Sequence, residues 1–302
     1  MLQVLLSGIA TGAIYGLVAM GFSVTFYVTR VINFAQGQLL TVAIMVAAAA
    51  AAAGWPLVIA MLVGIACAML AGVVVYFLAV HPVLIFSRIS YAWLVTTLGV
   101  AVALENGMAL IWGTESRPFP PLLNGYNIRI GAATVTGEDI LAVAVAIISV
   151  LAFELLRKRT LFGKLGVAVA LDPEMAAAVG GNTTVMAVVA FVIGAFLAGV
   201  GGVLAGPTTF GNPYLGDTFG IDGFIALMIA GTDRPSAAMY GGMILGILEQ
   251  GSIALINPEA GSWVPFLVVL VILLFMPKGL FSVGNPLERM TRRLVHLRQI
   301  ET

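Results

Sequence analysis

The sequence predicts an all-α, polytopic membrane protein, a single bundle over residues 1–302 with about 8 to 10 transmembrane helices, and three observations carry the prediction. Charged residues make up 9% of the chain and hydrophobic ones 61%, against roughly 25% and 45–50% in soluble domains, and the mean hydropathy is +1.08. The apolar residues run continuously instead of alternating, which argues against a transmembrane β-barrel. The 35 glycines point to helices packed backbone against backbone, because lipid gives helices no hydrophobic reason to associate.

Leu2 to Tyr27 is the first span, with no basic n-region and no clear cleavage site, so it reads as a retained helix rather than a signal peptide. Gly8, Gly12 and Gly16 recur every fourth residue on one face and mark a packing seam. Thr29 to Leu40 then places Arg30, Asn33, Gln36 and Gln38 between two apolar runs. Polar side chains there need either the membrane interface or partners in the protein interior. Two readings stand: an interfacial turn, or a cavity or gate.

Leu39 to Ala53 and Pro56 to Ala79 are the second and third spans, followed by a short connection with His81, Pro82 and Arg88. Tyr91 to Trp112 is the fourth and carries Glu105 and Asn106, which serve either transport or a helix-to-helix hydrogen bond. Gly113 to Gly137, with Pro118, Pro120 and Pro121, is a polar loop. Glu138 to Leu156 is the fifth span and ends in Arg157, Lys158 and Arg159.

Residues 157–183 form the one long polar interruption. Asp172 is placed to cap a helix, with Pro173 at its first position and Glu174 facing the positive end of its dipole. Gly180 and Gly181 stop it. The enclosed helix, Met175 to Val179, is too short to stand alone in water and needs a surface to lie against. A partner protein or an incidental helical turn both satisfy that.

Thr184 to Gly206 is the sixth span, where Gly194, Ala198 and Gly202 share a face and Gly199 lies beside them. Pro207 to Gly220 reads as a break, and Asp222 to Gly231 as a short segment that either crosses or re-enters. Thr232 to Pro235 forms a charged turn before Ala237 to Ile256, which has Gly241, Gly242 and Gly246 on packing positions and carries Glu249. Ser262 to Met276 is the last span, and residues 278–302 form a basic tail.

With nine spans drawn, twelve basic residues fall on one side and only Arg117 and Arg129 on the other. That side is cytoplasmic, which puts the amino terminus outside and the carboxyl terminus, with the central loop, inside. No phosphate-binding loop, H-E-x-x-H or triad pattern occurs, and the single Cys67 makes neither a disulfide nor a cysteine metal site. No catalytic residue, metal, cofactor or nucleic-acid partner is expected. A proton-coupled secondary transporter would rest on Glu105 and Glu249, but no internal repeat accompanies them.

VTRVINFAQGQL, GKLGVAVALDPEMAAAVGGN, FVIGAFLAGVGGVLAG and GGMILGILE resemble, in order and spacing, the permeases of high-affinity branched-chain amino acid ABC transporters, specifically the smaller H-type permease. The resemblance implies a bacterial inner-membrane importer subunit that pairs with an M-type permease, two ATP-binding subunits and a periplasmic substrate-binding protein. It also implies that Asp172 to Gly180, with Pro173, Glu174 and Ala177 inside it, is the coupling helix that rests on an ATPase. Asn33, Gln36, Gln38, Glu105, Asn106 and Glu249 are then candidates for the translocation path or gate. That path is expected among the small-residue faces of the first, fourth and sixth helices. Departures include Gln38 where the family commonly has an acid, Ala170 near a family arginine, and GTDRPSAAMYGG in place of a glycine-rich turn. Substrate stays open, since related permeases carry urea, amides or aromatic acids.

Overall fold

The computed structural model describes residues 1–86, 91–123, 126–130, 133–232 and 234–282. Arg88, Asp233 and the tail from residue 283 lie outside them. The helices are α1 (Leu2–Thr29), α2 (Gln36–Ala52), α3 (Leu57–Val75), α4 (His81–Phe86) and α5 (Ala92–Trp112). A hairpin follows, β1 (Asn127–Ile130) antiparallel to β2 (Ala133–Thr136). Then come α6 (Gly137–Arg159), α7 (Leu161–Leu171), α8 (Pro173–Ala178), α9 (Thr183–Thr209), α10 (Leu215–Ala230), α11 (Ala238–Leu255) and α12 (Ala260–Phe275). Among the described residues, six helices are long and apolar enough to cross a membrane.

The core is built on α1 and α9, whose most apolar windows are 67% and 72% buried, whereas α6 is 11% buried and lies at the periphery. α1 packs antiparallel on α11 through the expected glycines. A Cβ added at Gly12 would lie 2.6 Å from the Gly242 carbonyl oxygen, and one at Gly8 would lie 2.8 Å from Ile247 Cα. Only a missing side chain permits that approach. The face carrying Gly8 and Gly12 is therefore closed by α11 backbone. On α9, Gly194 faces Gly21 of α1, Gly202 faces the Leu40 carbonyl of α2, and Gly199 meets Ala68 of α3 and Ala43 of α2.

Five expectations need correction. The break at Pro207 to Gly220 is shorter than expected: α9 continues through Pro207 to Thr209, and α10 starts at Leu215 and runs for 16 residues in place of a ten-residue segment. Gly216 and Gly220 looked like breakers, but they are helical and lie against Gly37, so their missing side chains serve packing. The second span begins at Gln36 and so includes two of the polar residues placed ahead of it, Gln36 and Gln38, while Arg30 and Asn33 stay outside. His81, expected in a connection, continues the third span through a π turn, Tyr76–Val80, with its ring 5.7 Å from that of Tyr76. The loop before α6 contains the β1–β2 hairpin, which together with an isolated bridge between Arg117 and Gly211 departs from an all-α chain among the described residues.

The fifth correction is α7 itself, since the central stretch holds two helices. Thr160 accepts from Gly163 N and caps α7. Gly163 lets the turn close against the backbone of Leu156 and Arg157.

Candidate functional site

α1 ends at Thr29, and Arg30 turns the chain with a left-handed φ of 59°. Residues 31–35 then run without regular structure back between the helices before α2 begins. Their depth follows from α10. Gly216, whose carbonyl abuts Gly37, lies 14 residues from Ala230 (230 − 216), or about 21 Å along the helix axis at ~1.5 Å per residue. The start of α2 is thus well inside the bundle. Phe34 holds the segment there, stacked on Trp93 of α5 at 6.5 Å and tilted against Phe224 of α10 at 5.6 Å.

Asn33, Gln36 and Gln38 are 0%, 0% and 1% exposed, which decides for the interior and against an interfacial turn. Asn33 Oδ1 accepts from Ala35 N at 3.2 Å, and the Asn33 carbonyl accepts from Gln36 N at 3.0 Å, so the residue fixes the turn just ahead of α2. Gln36 lies over Gly21 and donates to the Gly194 carbonyl at 2.8 Å. Irregular backbone and amide side chains at this depth are tolerated where protein surrounds them or where they line a cavity.

Gln38 makes the central connection. Its Nε2 donates to Glu105 Oε2 of α5 at 3.2 Å and to Asp217 Oδ1 of α10 at 3.0 Å. One amide thereby bridges two carboxylates from different helices, while Gln38 Oε1 has no hydrogen-bond partner. Glu105 is half-buried and Asp217 exposed on the bundle's outer surface. Two acids on an intramembrane surface are costly against lipid and suit a face that meets water or another polytopic chain. Asn106, paired with Glu105 in the sequence reading, is exposed and donates to Val102 O of its own helix at 2.8 Å, so it does not join this cluster. Glu249 belongs to a second cluster, where it and Asp222 face the buried Tyr15 between α1, α10 and α11.

At the end of the bundle where α1 finishes, Asp172 Oδ1 accepts from Glu174 N at 3.0 Å and from Met175 N at 2.9 Å, with Pro173 in the first turn of α8. The helix closes in a Schellman motif: Gly180 N bonds Ala177 O at 3.0 Å, Gly181 N bonds Ala176 O at 2.8 Å, and Gly180 has φ 88°. Ala176 packs inward with Val169 and Met186, and Ala177 is exposed. Leu171, Met175 and Val179 are 79%, 64% and 78% exposed at four-residue spacing. These exposed apolar side chains, one at the end of α7, one on α8 and one at its C-cap, were not singled out in the sequence. Asp217 was also missed, because the stretch around it looked like loop. The Arg30 guanidinium reaches across to this region and donates to the Ala170 carbonyl at 2.9 Å.

Comparison with known proteins gives a consistent result. Residues 4–274 match the family described as branched-chain amino acid transport system / permease component. The high-affinity branched-chain amino acid transport system permease protein LivH of Escherichia coli K12 is 32% identical over 94% of this chain and 96% of its own length. BraD, from the corresponding system of Pseudomonas aeruginosa, is 29% identical over the same shares. The solved structure of PsaBC from Streptococcus pneumoniae in complex with Fab aligns with a TM-score of 0.50 at 13% identity, over 90% of this chain and 91% of that one, a likeness of fold alone.

Proposed function

The chain belongs to the branched-chain amino acid transport permease family, and on that premise we propose that it forms half of a translocation pathway for branched-chain amino acids and receives force from cytoplasmic ATPases through α8. It is a permease subunit of an ABC importer, a multi-pass protein of the bacterial inner membrane. The observation that carries the coupling role is the exposed row Leu171, Met175 and Val179 beside a short helix capped at both ends. A helix of six residues is not stable by itself, so its preformed caps and its outward apolar face favour a groove on another protein. The basic residues gathered at that end, Arg157, Lys158, Arg159 and Lys164, support a cytoplasmic placement with the amino terminus outside.

The second permease, two ATP-binding subunits and a periplasmic binding protein complete the proposed assembly. In it, the face bearing Gln38, Glu105 and Asp217 turns toward the partner permease and the pathway. The test is reconstitution of the full transporter in liposomes. Uptake of leucine, isoleucine or valine should require both ATP and loaded binding protein, and Met175→Glu should remove binding-protein stimulation of ATP hydrolysis. Uptake by this chain alone on a proton gradient would overturn the proposal, and so would full stimulation in the Met175→Glu transporter.

A further inference from the structure

A cavity of about 320 Å³ opens where α1, α10 and α12 end, and it lies apart from both the Gln38 cluster and the exposed face of α8. Two cationic side chains line it from distant parts of the sequence: Arg30, one residue past α1, and Lys278, three residues past α12. Thr232 and Ser282 add hydroxyls, and Phe26, Met228, Leu273 and Pro277 supply an apolar wall. Among the described residues no carboxylate lines the cavity, and neither Arg30 nor Lys278 is in a salt bridge. Arg30 is held in place: Nη2 donates to Ala170 O, and the guanidinium lies 6.0 Å from the centre of the Phe26 ring. Its remaining N–H groups are left for a ligand.

The geometry points to a phosphate-binding site in this cavity, occupied by the headgroup of an anionic phospholipid. A carboxylate would be satisfied by one of the two cations, whereas a phosphate offers enough oxygens for a guanidinium, an ammonium and the Thr232 hydroxyl together. The apolar wall favours a lipid over a free ion, since it faces the ends of membrane-spanning helices where the glycerol and first methylenes of a lipid would lie. Basic pockets between transmembrane helices at one membrane face recognise such headgroups by this chemistry. The bound phosphate would also touch the guanidinium that holds Ala170, two residues before the α8 cap.

The experiment needs no transport readout, so its outcome is independent of the proposed transport role. The full-length protein, purified with its associated subunits, is placed in nanodiscs of phosphatidylcholine containing a minor share of phosphatidylglycerol, and retained lipid is quantified by native mass spectrometry. Phosphatidylglycerol should be enriched over its bulk share. Lys278→Gln should lower that enrichment about fivefold, Lys278→Arg should restore it, and Thr232→Val should lower it less. A second arm titrates inorganic phosphate into protein held in phosphatidylcholine alone. Saturable phosphate binding lost in Lys278→Gln, without lipid enrichment, would keep the phosphate chemistry but overturn the lipid as its source. Enrichment unchanged in Lys278→Gln, together with no phosphate binding, would overturn the site.

Discussion

Arg30 Nη2 and the carbonyl oxygen of Ala170 are 2.9 Å apart although 140 residues separate them in the chain. The bond joins the residue that turns the chain into the 31–35 segment with the last turn of α7, next to the Asp172 cap. In the proposed coupling scheme, this bond would carry movement of α8 to the segment that positions Gln36 and Gln38.

Arg30→Gln should separate those two ends while leaving the exposed face of α8 intact. Hydrogen bonds to charged groups contribute about 1.5–3 kcal/mol, enough to reduce coupling about tenfold. The ATPases should still co-purify, but substrate moved per ATP hydrolysed should fall. An unchanged ratio would make the bond a local fastening only.

Asp172→Ala removes both N-cap hydrogen bonds of α8, at a cost of about 1 kcal/mol, and should weaken ATPase association moderately. Ala177→Glu changes an exposed position and should disturb the groove contact with the protein still inserted. Ala176→Glu instead places a charge beside Val169 and Met186 and should reduce the amount of folded protein. Co-purification yields for the three variants separate cap, contact face and core.

Gln38→Leu leaves Glu105 and Asp217 without their shared donor. Uptake should drop several-fold or more, since each hydrogen bond to a charged group contributes about 1.5–3 kcal/mol before solvent screening at this partly exposed site reduces it. Asn33→Ala should lower uptake with assembly retained, whereas Asn106→Ala, whose amide bonds only its own helix, should stay within about twofold of wild type. Equal effects at Gln38 and Asn106 would argue against a special role for the bridge.

Gly12→Ala should be far more damaging than Gly199→Ala. The first Cβ meets backbone at 2.6 Å, and the second meets Ala68 Cβ at 3.3 Å and Ala43 Cβ at 3.4 Å, which can be absorbed by a small shift. Thermal unfolding of the purified complex, with overpacking worth about 1–3 kcal/mol, would register the difference.

Much of this was legible in the sequence because it is written locally. The α8 cap and stop are short-range patterns, and the four-residue glycine spacing of α1 gives its seam without naming the partner. What escaped depends on distance along the chain. Gly216 and Gly220 share one sequence signature with turn glycines, and only the proximity of Gly37 shows that they pack. Gln38 could be seen as polar in an apolar context, but its two carboxylates lie 67 and 179 residues away. The interior position of residues 31–35 required the depth of α10, which no local pattern encodes.

The antiparallel seam between α1 and α11 has a consequence for biosynthesis. Gly12 and Gly242 are separated by 230 residues (242 − 12), which a ribosome working at about 5–20 residues per second takes roughly 10 to 50 s to translate. For that interval the first helix waits in the bilayer with its glycine groove unfilled. Any other helix with a small-residue stripe is a competitor during the wait, so the order in which the translocon releases helices becomes part of what selects the native pairing.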